Sequence, residues 1–402
     1  MKSILKATCP LLTALVLAAV PACTVSTTGS GTNEGPSTSP STNGDGVAAQ
    51  SGSAALSFKP SNVDISDMDL SKVGDIILSG SNCTIATESK LMTCDDDRKA
   101  AFKIVTLPDQ SRLAVYVVNS LRIESSAIVT TRDHLPLVVV ALHDITMLGS
   151  IDVPPGTAGG AFDAVANAKG QGPGGGTAGD TNSLAGGGAS FCGLGGKAGT
   201  EGALAPNAPN AYGNPELSPL VAGSAGGSGT LVSDGHGGGA IQLVAGGTIT
   251  LKAGAYINVG GAGGSFGGAA TYHQEAGAAG SGGAILLEAP SVVVEGTLSA
   301  NGGGGGQGFG DSGEAGRPSD TAAAGGQKLI DMAIPSPGGS GSSLAVIDGQ
   351  PGTYTKDFPA SGGGGGAGRI RINTANGNAT LSGVVSPGIT TACATQGTLT
   401  KK

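Results

Sequence analysis

The chain has 402 residues, of which 75 are glycine and only 12% are charged, and its 29 acids outnumber 21 lysines and arginines for a formal charge of −8. An acidic chain without a basic run interleaved with aromatics lacks the electrostatic footprint of a nucleic-acid binder. Glycine stands far above the roughly 7% of ordinary chains, yet it is nearly absent from four similar β-branched segments, 137–153, 241–259, 285–300 and 370–385.

In chain order, Lys2 and Lys6 precede an apolar run from Leu11 to Val20 and then Pro21, Ala22 and Cys23, the layout of a cleaved export signal over residues 1–22. The run is shorter than the ~20 residues that cross a bilayer. Val20-Pro21-Ala22-Cys23 resembles the bacterial lipobox, which implies lipidation of Cys23 and anchorage of the chain to a membrane at the outer membrane or cell surface. Pro21 departs from the usual second position of that motif, and cleavage by ordinary signal peptidase to give a secreted chain is the competing reading. Residues 23–55 are rich in Ser, Thr, Gly, Asn and Pro and cannot bury enough apolar surface to offset ordering. They are expected to form a disordered tether spanning roughly 30 Å.

Residues 56–112 carry short strand-like runs at 76–78, 84–86 and 102–107 without glycine expansion and are expected to form an N-terminal β cap over an exposed strand edge. From 113 to 402 apolar residues alternate in short groups, as in Leu137 and Val139, Ile145 and Met147, Ile151 and Val153. Period two predicts strands. Three strands of three to five residues per unit are too short for stable hairpins, so each unit is read as one rung of a parallel β-helix. Val115, Val117, Leu121, Ile123 and Ile128 extend the spacing upstream, and Val139, Leu243, Leu287 and Ile372 are expected to stack in one inward ladder. The fold class is therefore all-β, a short solenoid of about six rungs.

Glycine-rich insertions at 154–239, 260–283 and 302–368 each follow the third strand of a rung, which places them on one face. They are either solvated loops or layers packed against one another. Scattered apolar residues such as Phe191, Tyr212, Leu217, Phe266, Phe309 and Phe358 favour packing.

With Cys9 in the signal and Cys23 at the lipid site, Cys83, Cys94, Cys192 and Cys393 remain, an even number that suits two disulfides in an exported chain. The short loop favours Cys83 with Cys94, leaving Cys192 with Cys393. No close CxxC pair suggests zinc.

The glycine runs at 237–239, 282–283 and 363–368 that open rungs, with the closing Gly296 to Gly302 stretch, resemble glycine-rich repeats of bacterial surface proteins and lipoproteins. That resemblance implies a right-handed parallel β-helix and a role in surface structure or adhesion. The small, polar and occasional aromatic side chains of the insertions suit weak multivalent contact with surface glycans or a neighbouring copy rather than a deep pocket, so a non-catalytic structural or adhesive role is expected. Gly235-His236-Gly237 and Arg369-Ile370-Arg371 are similar to two polygalacturonase motifs, so a pectin-degrading hydrolase or lyase is the alternative. Glycoside hydrolysis needs two convergent carboxylates. The Asn-Thr-Asp of that family is missing, and Asp95, Asp96 and Asp97 lie far upstream. Asp133 with His134 and His143 with Asp144 read as solvated corners. His273 with Glu275 lacks a third metal ligand, and Asp234-Gly235 and Gly310-Asp311 are not iterated as calcium repeats are. No catalytic residue, cofactor or metal is expected.

Overall fold

The computed structural model describes residues 56–161, 168–180, 184–201, 205–229, 235–267, 274–328 and 335–402. The expected signal, Cys23 and the tether up to residue 55 lie outside the described residues, as do His273 and Asp234. The described chain is all-β, its single helical turn being a 3-10 segment at Asp97–Lys99.

Four strands come first: β1 (Phe58–Lys59), β2 (Ile76–Leu78), β3 (Cys83–Ala86) and β4 (Ala101–Thr106). Triplets follow: β5 (Arg112–Val118), β6 (Leu121–Ile123) and β7 (Ile128–Arg132); β8 (Leu137–Ala141), β9 (Ile145–Met147) and β10 (Ser150–Asp152); β11 (Ala240–Ala245), β12 (Thr248–Leu251) and β13 (Tyr256–Asn258). Two more are β14 (Ala284–Glu288), β15 (Ser291–Val294) and β16 (Thr297–Ser299), then β17 (Arg369–Thr374), β18 (Thr380–Leu381) and β19 (Val384–Ser386); β20 (Ala394–Thr398) and β21 (Thr400–Lys401) end the chain. First strands pair in parallel in the order β5-β8-β11-β14-β17-β20, with β4 antiparallel on β5, to make sheet I. Second strands make sheet II, β2-β6-β9-β12-β15-β18, and third strands make sheet III, β3-β7-β10-β13-β16-β19.

Short β-branched strands bounded by turns pair only with their counterparts in the neighbouring triplet, so the apolar positions fall into columns. Val139, Leu243, Leu287 and Ile372 are successive partners in sheet I, all buried. With Ile145, Ile249 and Val292 of sheet II and Ile151, Ile257 and Leu298 of sheet III they form one core. Each such side chain contributes roughly 1.5–3 kcal/mol of burial free energy. One phase differs from the spacing read in the sequence. Tyr116, not Val115, pairs with Val139 and faces that core, and Val129 takes the inward place beside an exposed Ile128. Sheet I is buried on both faces, so either phase of β5 reads as apolar.

The stretch expected to act as an N-terminal cap divides into three parts. Strand β4 closes the edge of sheet I, whereas β2 and β3 belong to sheets II and III. Residues 56–73 form a strap over the outer face of sheet I, where Leu56, Phe58 and Val63 pack against Val138, Val140, Val244 and Leu286. The strap begins where β1 pairs antiparallel with β21. Within it, Ser61 donates two hydrogen bonds to the buried Glu288 carboxylate, which also accepts from Gln242 at 2.6 Å and Asn373 at 3.1 Å. Four donors satisfy the buried charge.

All three insertions leave sheet III and return to sheet I, so they emerge at one corner. Their described segments are largely extended and buried without forming strands of the three sheets. In 302–308, the N–H groups of Gly303 and Gly306 donate to the carbonyls of Gly280 and Gly277; those of Gly304 and Gln307 donate to Glu314 and Asp311; those of Gly305 and Gly308 donate to Gly339 and Ser336. Donors three residues apart reach the same neighbour, and consecutive donors reach different neighbours. An extended helix with three residues per turn and no internal hydrogen bonds has this property. Segment 361–368 repeats it: Ser361, Gly364 and Ala367 donate to Thr353, Gln350 and Ile347, while Gly362, Gly365 and Gly368 donate to Gly306, Gly303 and Ala300. Among the described residues the insertions are thus a packed bundle rather than solvated loops. Glycine is required because the backbones touch: a Cβ on Gly306 would stand 1.8 Å from the carbonyl oxygen of Ser265, and one on Gly365 would stand 1.9 Å from that of Gly280.

Candidate functional site

The bundle segment that leaves sheet III at Ala300 runs to Gly308 before the chain turns, a distance of about 25 Å at 3.1 Å per residue. Three phenylalanines flank the turns at this far end. Phe266 is 53% exposed, with its N–H 3.3 Å from the Ser312 hydroxyl. Phe309 follows Gly308, and its ring lies 6.5 Å from that of Phe358. The three segments are neighbours, since Gly267 donates to the Gln307 carbonyl and a Cβ on Gly308 would meet the Pro359 carbonyl. On another side Tyr354 and Leu184 pack on Ala185, Ala198 and Ala360, and a hydrogen bond to Glu201 raises the Tyr354 phenol above its ordinary pKa.

Glu275 is the buried acid of this end, 4% exposed, and its carboxylate accepts from the Ala360 N–H. Burial pushes its pKa up to about 7; the Ala360 hydrogen bond opposes that shift, and the charges of Asp180 and Glu201 add to it. Among the described residues no group of three His, Cys, Asp or Glu side chains is placed to hold a metal ion.

The residues singled out in the sequence fall elsewhere. The His236 ring packs beside Gly156, whereas the Arg369 guanidinium donates to the carbonyls of Tyr212 and Gly213 and stands 5.7 Å from the centre of the Phe191 ring. Arg371 donates to Asn373, Thr395 and the Gln396 carbonyl. These contacts tie 205–222 to sheet I and the edge strand β20 to its neighbour β17. Asp95 accepts from the Ile77 N–H and pairs with Lys99, and Asp96 caps the 3-10 turn. A hydrogen bond from Arg98 lowers the Asp96 carboxyl to about 2. The Asp144 carboxylate accepts from the Thr248 N–H at 2.6 Å at a corner where His143 is exposed, and a His134 ring nitrogen lies 3.3 Å from the Gly156 carbonyl beside Asp133. The Asp311 N–H donates to the Gln307 side chain next to Gly310.

Cys83 is bonded to Cys94, and Cys192 to Cys393, with Cα separations of 5.5 and 5.6 Å. The second bridge ties the first insertion to the start of β20. Sequence reading missed the far-end aromatics as a group because 266, 309 and 358 are remote in the chain. Their one signal was that each aromatic lies beside a glycine run or its turn. The chain matches no protein-family model, no curated protein and no solved structure with which it was compared.

Proposed function

We propose that this protein is a non-catalytic, surface-anchored lipoprotein with a structural or adhesive role. Residues 1–22 are removed, Cys23 carries the lipid, and the following tether holds the folded part off the membrane. The three sheets are those of a right-handed parallel β-solenoid, the hand that parallel crossovers take in nearly all cases. The solenoid serves as a rigid base for the glycine bundle, which is the working region.

The observation that carries this reading is the confinement of all three expansions to one corner, as expected of a scaffold that presents loops. The two disulfides suit an oxidising compartment.

The test is to incubate the purified chain with neutral and acidic polysaccharides and to score both retention and new reducing ends. Retention without cleavage is expected. Cleavage that disappears in His236→Ala would overturn the reading in favour of a hydrolase or lyase. Mass spectrometry of the mature amino terminus checks the anchor, and an unmodified Cys23 would replace lipidation with secretion.

A further inference from the structure

We propose that the far end of the glycine bundle is a binding surface for neutral glycans, in which Phe266, Phe309 and Phe358 stack on the C–H faces of sugar rings. This assignment names a ligand class for the working region and rests on the scaffold reading above.

The argument starts from what the bundle excludes. Its interior is mostly backbone in contact with backbone, and its one small apolar cluster among the described residues is built on Ala185, Ala198 and Ala360, so a phenylalanine on one of its turns finds no large side-chain core to enter. Elsewhere the aromatics have such duties: Tyr116 fills the core between the sheets, and Phe191 and Tyr212 of the first insertion stack on each other against the outer face of sheet I. Among the described residues the three far-end rings belong to none of the buried apolar clusters; Phe309 and Phe358 meet each other, Phe266 stands exposed, and all three sit on adjacent segments held by the hydrogen-bond lattice. Partly exposed apolar rings fixed on a rigid support mark a contact surface.

Charge and area then select the occupant. The charged residues on the ring-bearing turns, Asp311 and Asp357 against Lys328 and Lys356, balance, so this end has no positive excess to hold a polyanion. Three rings, two of them half-buried, supply less than about 450–750 Å² of contact at roughly 150–250 Å² each, short of the ~800 Å² that each partner of a standard protein interface buries. A few sugar residues fit that area. Their hydroxyls can donate to the carboxylates of Asp311 and Asp357, while the rings take the apolar faces. Weak single contacts become firm on a polymer that offers many copies.

The experiment uses affinity electrophoresis of the whole chain in gels containing dextran, mannan or laminarin, with alginate and polygalacturonate as polyanion controls. The variants are Phe266→Ser, the pair Phe309→Ser with Phe358→Ser, and Ile77→Ser on the remote sheet II, with thermal melting measured for each. Retardation by at least one neutral polymer is expected. It should fall at least tenfold in the far-end variants at unchanged melting temperature and persist in Ile77→Ser. Retardation that survives in both far-end variants would overturn the assignment while leaving the scaffold reading intact. Retardation by polyanions alone, or none by any polymer, would overturn it too. A concentration-dependent dimer in sedimentation, lost with Phe309 and Phe358, would reassign the surface to a neighbouring copy. New reducing ends would remove the scaffold reading itself, whatever the variants do. If a single serine variant melts early, Phe266→Leu keeps the volume and removes the ring, and it is expected to lose retardation as well.

Discussion

The parallel sheets and the glycine bundle are two solutions to the same problem of burying a backbone. In the sheets Leu287 lies between Leu243 and Ile372, and hydrocarbon leaving water drives folding. In the bundle Gly306 is equally buried but has no side chain to bury. Its stability comes from backbone hydrogen bonds worth about 0.5–1.5 kcal/mol each, set against the larger ordering entropy of glycine. The bundle therefore depends on the sheets. Strand ends hold its segments in register, through Val259 to Ser299, Ala300 to Ser386 and Gly283 to Val259, and the Cys192–Cys393 bridge adds a covalent tie.

The comparison is broken most severely by Leu287→Asp. An unpaired carboxylate in the apolar column is expected to abolish cooperative folding of both regions, read as loss of the thermal transition. A variant that melts like wild type would show that this column is not the core.

Gly306→Ala is the matching change in the bundle. One methyl group is expected to cost about 3 kcal/mol, at the upper end for overpacking, because the carbonyl of Ser265 cannot retreat without moving its own hydrogen-bonded segment. Denaturant titration gives the value, and a loss under 1 kcal/mol would mean that the backbones are not in contact.

Glu275 gives the bundle a pH dependence opposite to that of an ordinary paired carboxylate. Its folded-state pKa is raised from 4.5 to about 7, so the folded chain holds this proton more tightly than the unfolded chain. Its contribution is fully present below about pH 4.5 and is lost as the pH rises through about 7, a change of up to about 3 kcal/mol. Urea midpoints measured across that window should fall in the wild type and stay flatter in Glu275→Gln. Equal slopes in the two proteins would remove Glu275 as the source.

The smallest effect sharpens the contrast among glycines. Gly388 lies outside the bundle, is not in the left-handed region, and has 3.7 Å to the nearest atom around a new Cβ. Gly388→Ala is expected to change stability by less than about 1 kcal/mol, on the stabilising side through the unfolded chain. A drop as large as that of Gly306→Ala would erase the distinction between the two kinds of glycine.

The repeated strand triplets, and the register of those from residue 137 onward, were legible in the sequence. Alternation at Ile249 and Leu251 or at Ile145 and Met147 is a local signal, because a strand with one buried face must repeat every second residue. The same reasoning located the three insertions at equivalent places. It failed at Val115, where burial on both faces erased the alternation, and it did not reveal the strap over sheet I. The far-end surface was illegible for a related reason, since a glycine run carries no side-chain pattern to distinguish a solvated loop from a packed layer. Tertiary structure alone decided which carbonyl each glycine N–H meets. Gly306 finds Gly277, and Gly365 finds Gly303. Those pairings depend on backbone directions fixed by distant strands, and they bring Phe266, Phe309 and Phe358 to one end of the bundle.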